Sequence, residues 1–198
     1  MRVIGLTGGI ATGKSTAADY LARHYHLPIL DADVYARQAV EPPSQVLQAI
    51  QERYGQEVLT AIGQLRRDRL AEIIFADTQE RQWLEQQIHP IVRQRLIAEI
   101  QQAKIFPVIC VVPLLLEAGM EDIVSEIWVV TCNLDQQLAR LQQRNDLSLA
   151  QAQARITSQM PLAEKIAQAD VVLDNSRGQE ELYAQIDRAI TKFGVADL

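Results

Sequence analysis

Residues 3–16 of the chain read VIGLTGGIATGKST, an apolar run that leads into a glycine-rich loop. Positions 8–15 match the pattern GxxxxGK[ST] in full, directly after a predicted strand and directly before a predicted amphipathic helix. In such a loop the backbone N–H groups converge on a phosphate, the helix N-terminus adds partial positive charge, and the lysine reaches the β- and γ-oxygens. The Ser15 hydroxyl is a candidate Mg²⁺ ligand. The predicted phosphate site comprises Gly8, Gly9, Ile10, Ala11, Thr12, Gly13, Lys14, Ser15 and Thr16.

Short apolar runs elsewhere predict the rest of a buried sheet. Each run is rich in β-branched residues and is bounded by Gly, Pro, Asp or Asn, as expected for parallel strands that are covered on both faces. Helical periodicity separates the runs, for example at 16–25 and 79–103. Strands that alternate with helices predict a three-layer α/β fold with a parallel sheet of five strands. The predicted strands are 3–7, 28–30, 108–112, 127–131 and 171–173.

The spacing of these strands predicts three parts within a single chain. The second and third strands are separated by far more residues than a plain crossover needs, so residues 40–87 are interpreted as a helical insertion on the substrate side. Residues 134–167 contain Arg-bearing amphipathic segments and are interpreted as a helical lid, whose second helix Ser148 is suited to cap. The predicted core is approximately 1–39, 88–133 and 168–198.

The composition excludes several classes of protein. Of 198 residues, 48% are hydrophobic and 22% are charged, which is typical of a folded globular protein rather than a disordered or fibrous one. The net charge of −6 disfavours nucleic acid and anionic membranes as partners. The spacing of Cys110 and Cys132 indicates neither a metal site nor a disulfide framework. Both are interpreted as buried residues of a cytoplasmic protein. No run approaches the length of a membrane span, and nothing predicts an oligomeric state.

Proteins with this kind of loop include GTP switches, motor or transport ATPases, and small-molecule kinases. The guanine motif NKxD and the switch motif DxxG do not occur in the sequence. Motor and transport ATPases usually have an acidic residue at the end of the next central strand. Here Val108–Val112 is followed by Pro113, and the first acidic residue after this strand is Glu117. These patterns favour a kinase in which another carboxylate serves as the base.

Two aspartates follow the second predicted strand. Asp31 and Asp33 stand at its carboxyl end, and the carboxyl ends of parallel strands face the ligand crevice. We expect this strand to lie beside the one that carries the phosphate loop. One carboxylate is then placed to accept the proton of an acceptor hydroxyl and the other to orient Mg²⁺ or its waters. Either aspartate is alternatively suited to cap a helix that begins near Val34.

Positive charge over the transferred phosphate is expected from the lid. Arg140 and Arg144 lie four residues apart on one predicted helical face, and Arg155 follows on the next helix. An arginine placed over the equatorial oxygens accelerates phosphoryl transfer. Alternatively, these arginines are ordinary surface residues in contact with solvent.

These motifs resemble the dephospho-coenzyme A kinase family, from Arg2 to about Lys192. The resemblance is carried by Gly5-Leu6-Thr7-Gly8-Gly9-Ile10, Asp31-Ala32-Asp33 with Arg37, His89-Pro90, Pro113-Leu114-Leu115-Leu116-Glu117, Arg140-Leu141 with Arg144, Arg155-Ile156 with Gln159, and Ala169-Asp170 with Asn175. It implies transfer of the γ-phosphate of ATP, with Mg²⁺, to the ribose 3′-hydroxyl of dephospho-CoA.

The resemblance also implies roles for individual residues. Asp33 is implied as the base that faces the 3′-hydroxyl, with Asp31 near the metal. Lys14 and Arg140 are implied to neutralise developing charge, and Ser15 to hold Mg²⁺. The residues implied on the nucleotide side also include Arg144 and Asn175. Those implied to contact the acceptor are Asp31, Asp33, Arg37, His89, Pro113, Leu114, Glu117, Arg155 and Gln159.

Several alternatives stay open. His89 is alternatively a half-buried histidine that orients the kink imposed by Pro90, and Glu117 alternatively braces its own loop. The whole chain is alternatively another small-molecule or nucleoside kinase of the same fold, or a non-catalytic ATP-binding module. The family usually has Gly-Ser where this chain has Ala11-Thr12. Because a positive φ strains an alanine, we expect Ala11 to have a negative φ.

Overall fold

Within residues 1–192, which the computed structural model describes, five strands form one sheet. The strands are β1 (Val3–Gly8), β2 (Ile29–Asp31), β3 (Val108–Val111), β4 (Glu126–Thr131) and β5 (Val171–Asp174). β1 pairs in parallel with β3, where Val3 is opposite Val108, and with β4, where Ile4 is opposite Glu126. β4 pairs in parallel with β5. The predicted α/β fold with a parallel five-stranded sheet is confirmed.

The strand order is β2-β3-β1-β4-β5. β3 therefore lies between β2 and the strand that carries the phosphate loop, and the expectation that those two strands are neighbours is wrong. The chain returns from the long helical segment into the position next to β1, and local sequence patterns do not encode that choice. Asp31 is the last residue of β2, at its carboxyl end as predicted.

The helices that the structure describes follow the predicted periodicity closely. They are α1 (Lys14–His24), α2 (Ala32–Gln38), α3 (Gln45–Tyr54), α4 (Arg67–Ala76), α5 (Thr78–Gln102), α6 (Leu134–Asn145), α7 (Leu149–Thr157), α8 (Leu162–Ala167) and α9 (Gln179–Lys192). Ser148 caps α7 as predicted: its Oγ accepts a hydrogen bond from the N–H of Gln151, whose side chain accepts one in return from the N–H of Ser148. α8 was not predicted, because its six residues are too few to show a period.

A buried apolar cluster joins α1 and α9 to the sheet. β1 and β3 are buried along their whole lengths, as expected for strands that are covered on both faces. The hydroxyl groups of Tyr20 and Tyr25 on the α1 side both donate to Oδ1 of Asp187 on α9, at 2.9 and 2.8 Å. Burial, together with the hydrogen bond to Asp187, raises the pKa of Tyr20 to about 12. The phosphate loop is thus attached to a strand and a helix that are both firmly packed.

The chain divides into two compact units. The core unit is Met1–Leu30 with Ile100–Leu198, and the helical unit is Asp31–Glu99. The phosphate loop and the segment 134–167 belong to the core unit, whereas Asp31 and Asp33 belong to the helical unit. The predicted division into core, insertion and lid stays a prediction, and the part of the predicted core at 193–198 lies outside the described residues.

The helical unit has its own apolar core and a polar network at its edge. The buried core residues are Val40, Val46, Ile50, Val58, Leu70 and Leu84. The guanidinium of Arg53 donates to both oxygens of Glu80, at 2.6 and 2.9 Å, and the hydroxyl of Tyr54 donates to Glu80 Oε2 at 2.6 Å. The same guanidinium lies 4.6 Å from the ring centre of Trp83. These contacts join α3 to the first turns of α5.

We expect Glu80→Gln to reduce the acid sensitivity of the helical unit. The hydrogen bond from Arg53, followed by that from Tyr54, lowers the pKa of Glu80 from 4.5 to about 2. Because the folded pKa lies below the unfolded one, this stabilisation is complete above pH 4.5 and is lost as the pH falls through 2. Urea midpoints should therefore fall more steeply between these pH values for the parent than for the variant.

Glu85→Gln is the matched control, since Glu85 lies on the same helix and has only a 3.9 Å contact with Arg81. Its midpoints should follow those of the parent. An equal flattening of both acid profiles would contradict the assignment to Glu80.

Both cysteines are buried free thiols, as predicted. Burial raises the pKa of Cys110 to about 12 and also raises that of Cys132, which disfavours the reactive thiolate form of both. Across residues 1–192, no helix combines the length and the apolar character needed to cross a membrane.

Candidate active site

The phosphate loop connects β1 to α1. Gly8 ends the strand and Lys14 begins the helix, with Ser15 and Thr16 in its first turn. Gly13 precedes the helix with a φ of 108°, and a Cβ at this position would overlap the side-chain amide of Asn175, so only glycine fits. The Lys14 ammonium donates to the carbonyl oxygens of Gly8 at 3.0 Å and Gly9 at 2.7 Å. The lysine is therefore folded back over the loop.

Ala11 adopts the left-handed conformation. Its φ is 58°, so the expectation of a negative φ is wrong. The left-handed form costs a residue with a Cβ about 1–2 kcal/mol. The loop imposes this conformation because its backbone N–H groups converge only when the chain reverses tightly between Gly9 and Gly13.

Ala11→Gly is expected to raise the free energy of unfolding by about 1 kcal/mol, since glycine takes a positive φ without a Cβ clash. Urea unfolding followed by circular dichroism measures the change. Ala154→Gly, at an exposed position within α7, is the matched control and should lower the same free energy by about 0.5–1 kcal/mol. An Ala11→Gly protein less stable than the parent would contradict the strain at this position.

Asn175 and Arg140 brace the back of the loop. The Asn175 side chain is buried and donates to the carbonyl of Thr12 at 2.8 Å. Arg140 donates to the same carbonyl at 3.4 Å and to the carbonyl of Asn175 at 3.1 Å. A guanidinium carries five N–H donors, so these two bonds leave others that can face a phosphate. The structure thus brings together three of the predicted site residues.

Two glutamines within residues 134–167 form hydrogen bonds with the backbone of Ile10. The side-chain oxygen of Gln159 accepts a hydrogen bond from the N–H of Ile10 at 2.8 Å. The amide of Gln137, on α6, donates to the carbonyl of Ile10 at 2.7 Å. Both backbone groups of a residue in the middle of the loop are therefore fixed by side chains that are far away in sequence.

The loop after β3 is braced from two sides. Thr7 Oγ1 donates to the carbonyl of Pro113 at 3.1 Å, and the ammonium of Lys165 donates to the same carbonyl at 3.0 Å. Lys165 also forms an ion pair with Glu117 at 2.7 Å. Glu117 thus braces its own loop, which is the alternative that its sequence position left open.

The other predicted residues of the core unit include Arg144, Arg155, Leu114 and Thr16. Arg144 donates to the side chain of its neighbour Asn145 at 3.1 Å rather than to a loop residue. Arg155 is in the last turn of α7, and Leu114 is half-buried beside Pro113. Thr16 lines a shallow cavity of about 280 Å³ between α1 and α9.

The helical unit contains a cavity of about 600 Å³. Its charged lining comes from Asp33, Arg37 and Arg67, and Arg67 donates to the carbonyl of Arg37 at 3.2 Å. Asp33 and Arg37 are four residues apart on α2 and so share one face of that helix. The apolar lining comes from Ala36, Val40, Leu65, Leu70, Ala71, Ile74, Phe75, Leu84 and Ile88.

Asp31 and His89 do not line this cavity, but each is close in sequence to a residue that does. Asp31 caps α2, since its Oδ1 accepts a hydrogen bond from the N–H of Asp33 at 2.8 Å. This is the capping alternative that the sequence left open for the aspartate pair. His89 is half-buried on α5, next to Ile88, and the helix continues through Pro90.

Gln137, Lys165 and Arg67 contribute to the site but were not predicted from the sequence. Gln137 lies one helical turn before Leu141, the other buried residue of α6, and this spacing is a signal that an inward-facing glutamine has a partner. Arg67 begins a helix within the predicted substrate-side insertion. A cation in that segment is a signal for a residue that binds an anionic substrate. Lys165 offers no local signal, because its partners are long-range ones.

The residues at the start of α1 fit Mg²⁺. Among residues 1–192, no group of three or more His, Cys, Asp or Glu side chains is arranged to hold a metal ion. Mg²⁺ at nucleotide sites needs only one or two protein oxygens, because waters and phosphates complete its shell. Ser15 is exposed in the first turn of α1, directly after Lys14, and its hydroxyl is a suitable hard oxygen donor.

The fold and the loop together define a class of protein. A parallel α/β sheet whose first strand runs through GxxxxGK[ST] into a helix, in a chain with neither the guanine motif nor an acidic residue at the end of β3, is that of a small-molecule kinase of the P-loop type.

Comparison with known proteins narrows the class. Residues 2–181 match the profile of the dephospho-CoA kinase family, and the chain belongs to that family. A dephospho-CoA kinase of Synechocystis sp. is 58% identical over 191 residues, which are 95% of this chain and 94% of that protein. A solved structure from Thermus thermophilus has a TM-score of 0.84 at 32% identity and covers 98% of both chains. A dephospho-CoA kinase from Campylobacter jejuni has a TM-score of 0.73 at 25% identity, with the same coverage.

Proposed function

We propose that this protein transfers the γ-phosphate of ATP to the ribose 3′-hydroxyl of dephospho-CoA, giving coenzyme A and ADP. Membership of the family supports dephospho-CoA as the acceptor. The observation that carries the proposal is the presence, in one chain, of a phosphate loop with Lys14 and a cavity with one carboxylate and two guanidinium groups on apolar walls.

The core unit binds the nucleotide in this proposal. The backbone N–H groups of the loop and the N-terminus of α1 face the phosphates, and Lys14 exchanges its bonds with Gly8 and Gly9 for phosphate oxygens. Arg140, fixed at the back of the loop, neutralises charge that develops on the transferred group. Asn175 stabilises the loop conformation through its hydrogen bond to the carbonyl of Thr12.

The helical unit binds the acceptor. Dephospho-CoA joins an adenosine through a diphosphate to a long arm in which methyl and methylene groups alternate with amides. Arg37 and Arg67 supply two cations for that diphosphate, and the aliphatic lining that includes Leu70 and Ile74 suits the arm. Asp33 shares a face of α2 with Arg37, so its carboxylate lies on the wall that also carries the cations.

The chemical step is an in-line displacement. The 3′-oxygen forms a bond to the γ-phosphorus while the bond from that phosphorus to the bridging oxygen breaks, and ADP leaves with that oxygen. The proton of the hydroxyl passes to the Asp33 carboxylate and from there to solvent. Lys14 and Arg140 stabilise the charge that shifts towards ADP.

The Ser15 hydroxyl would hold Mg²⁺, which when bound would neutralise charge on the phosphate oxygens, and a role of Asp31 near the metal stays a prediction. Contacts of Arg144 with the nucleotide, and of His89, Pro113, Leu114, Glu117, Arg155 and Gln159 with the acceptor, stay predictions. We also propose a cytoplasmic location, which two buried free thiols and small-molecule substrates support.

A coupled assay of ADP release tests the proposal, with dephospho-CoA, adenosine and AMP offered in parallel reactions. We expect ADP formation that depends on dephospho-CoA. Turnover with adenosine or AMP alone would overturn the acceptor assignment. Nucleotide binding without product from any acceptor would identify a non-catalytic ATP-binding module instead.

A further inference from the structure

Lys165 is fully buried in the core unit although its side chain carries a charge. Its exposed fraction is 0%, and its ammonium contacts Glu117 Oε1 at 2.7 Å and the carbonyl of Pro113 at 3.0 Å. Moving an ammonium out of water costs several kcal/mol, which an ion pair offsets only when its geometry is good. An apolar side chain of the same length would fill the space without that cost, so packing alone does not account for a lysine here.

The partners of Lys165 lead directly to the phosphate loop. Glu117 Oε1 also accepts a hydrogen bond from the N–H of Met160 at 3.2 Å. The residue before Met160 is Gln159, whose side-chain oxygen accepts the N–H of Ile10 at 2.8 Å. A continuous path of hydrogen bonds and one peptide unit therefore joins the buried ammonium to the middle of the loop.

A second branch reaches the same loop from the strand side. The carbonyl of Pro113 accepts from both Lys165 Nζ and Thr7 Oγ1, and Thr7 directly precedes Gly8. Thr7 is itself fully buried, so its hydroxyl is fixed in place. Through Pro113 and Glu117, one ammonium is thus connected to β1, to the loop after β3 and to Met160.

We propose that Lys165 is a positioning residue for phosphoryl transfer. By holding Glu117 it fixes Met160, and through Met160 it sets the side chain of Gln159 against the N–H of Ile10. Without the ammonium, the Glu117 carboxylate has no counter-charge and moves towards water, which releases Met160 and Gln159. The inference rests on the proposed kinase activity for its kinetic consequence, but its structural part is independent of that activity.

Lys165→Met tests the kinetic consequence, since methionine keeps an unbranched apolar stem and removes the charge. We expect kcat to fall about 10- to 100-fold, because a displacement of about 1 Å at a reacting group has an effect of that size. The KM for ATP should change far less than kcat, because the remaining loop amides and Lys14 still bind the phosphates. Lys104→Met, at an exposed lysine, should match the parent.

The double variant Lys165→Met/Gln159→Leu separates positioning from a general loss of stability. If Lys165 acts through Gln159, the double variant should be no slower than the slower single variant. Multiplied effects of the two changes would overturn the proposal.

The amide resonance of Ile10 in the ¹⁵N-labelled protein gives a readout without turnover. In Lys165→Met this N–H should exchange faster with solvent and shift as its hydrogen bond to Gln159 is lost. Should that variant not fold, Glu117→Gln removes the other charge of the pair and should have the same effect on the resonance. An unchanged Ile10 amide would overturn the proposal even in an active enzyme, whereas a changed amide in a protein inactive on dephospho-CoA would overturn only the proposed function.

Discussion

The Asp33→Asn protein should phosphorylate dephospho-CoA with a kcat about 10²- to 10⁴-fold below that of the parent, the range expected when a general base is removed. Asparagine has the size of aspartate but does not accept the proton of the 3′-hydroxyl. Asp33 lines the charged wall of the cavity in the helical unit, so the change is confined to the acceptor side and the KM for ATP should be nearly unchanged. Initial rates of ADP release measure both constants.

Two matched variants sharpen this test. Asp68→Asn makes the same change at a side chain that is 73% exposed on α4, and it should leave kcat unaltered. Asp31→Asn keeps the cap of α2, because asparagine is as good a cap as aspartate, and its kcat should fall less than that of Asp33→Asn. The reverse order of the two effects would assign the base to Asp31.

Lys14→Met should lower kcat/KM for ATP about 10³-fold, since loss of one preorganised donor at developing charge has an effect of this order. The ammonium already sits over the loop, within 3.0 Å of two of its carbonyl oxygens, so it needs no large movement to meet a phosphate. Initial rates and calorimetric titration with ATP would separate the loss of binding from the loss of rate.

Lys14→Arg provides the comparison for this prediction. The guanidinium keeps the charge, but it is planar and bulkier than an ammonium and does not replace a compact donor between the carbonyls of Gly8 and Gly9. Its activity should therefore lie between those of the parent and Lys14→Met. A Lys14→Met enzyme within tenfold of the parent would contradict the role of this lysine.

The parallel sheet and the phosphate loop could be predicted because their signals are local. Buried parallel strands show as short apolar runs, and the loop shows as a fixed spacing of Gly8, Gly13 and Lys14 between a strand and a helix. The cap at Ser148 is equally local, since both partners lie within one helical turn. Such features depend on neighbours in the sequence.

The error about the neighbours of β2 and the omission of Lys165 depend on contacts that are distant in sequence. The neighbours of β2 are set by where the chain returns after the helical unit, which no run of residues near Asp31 records. Ala11 has a positive φ because the closed loop requires it, against the preference of the residue itself. From the sequence alone, Lys165 is indistinguishable from an ordinary polar residue of a helix. Only the folded structure places Glu117 and Pro113 next to its ammonium.

The position of the new phosphate tests the central proposal most directly. ³¹P NMR of the product formed from ATP and dephospho-CoA should show one new phosphomonoester, coupled to the ribose H3′, in a compound that co-elutes with coenzyme A. A phosphate coupled to H2′, a phosphate on another part of the acceptor, or hydrolysis of ATP without a phosphorylated acceptor would contradict transfer to the 3′-hydroxyl.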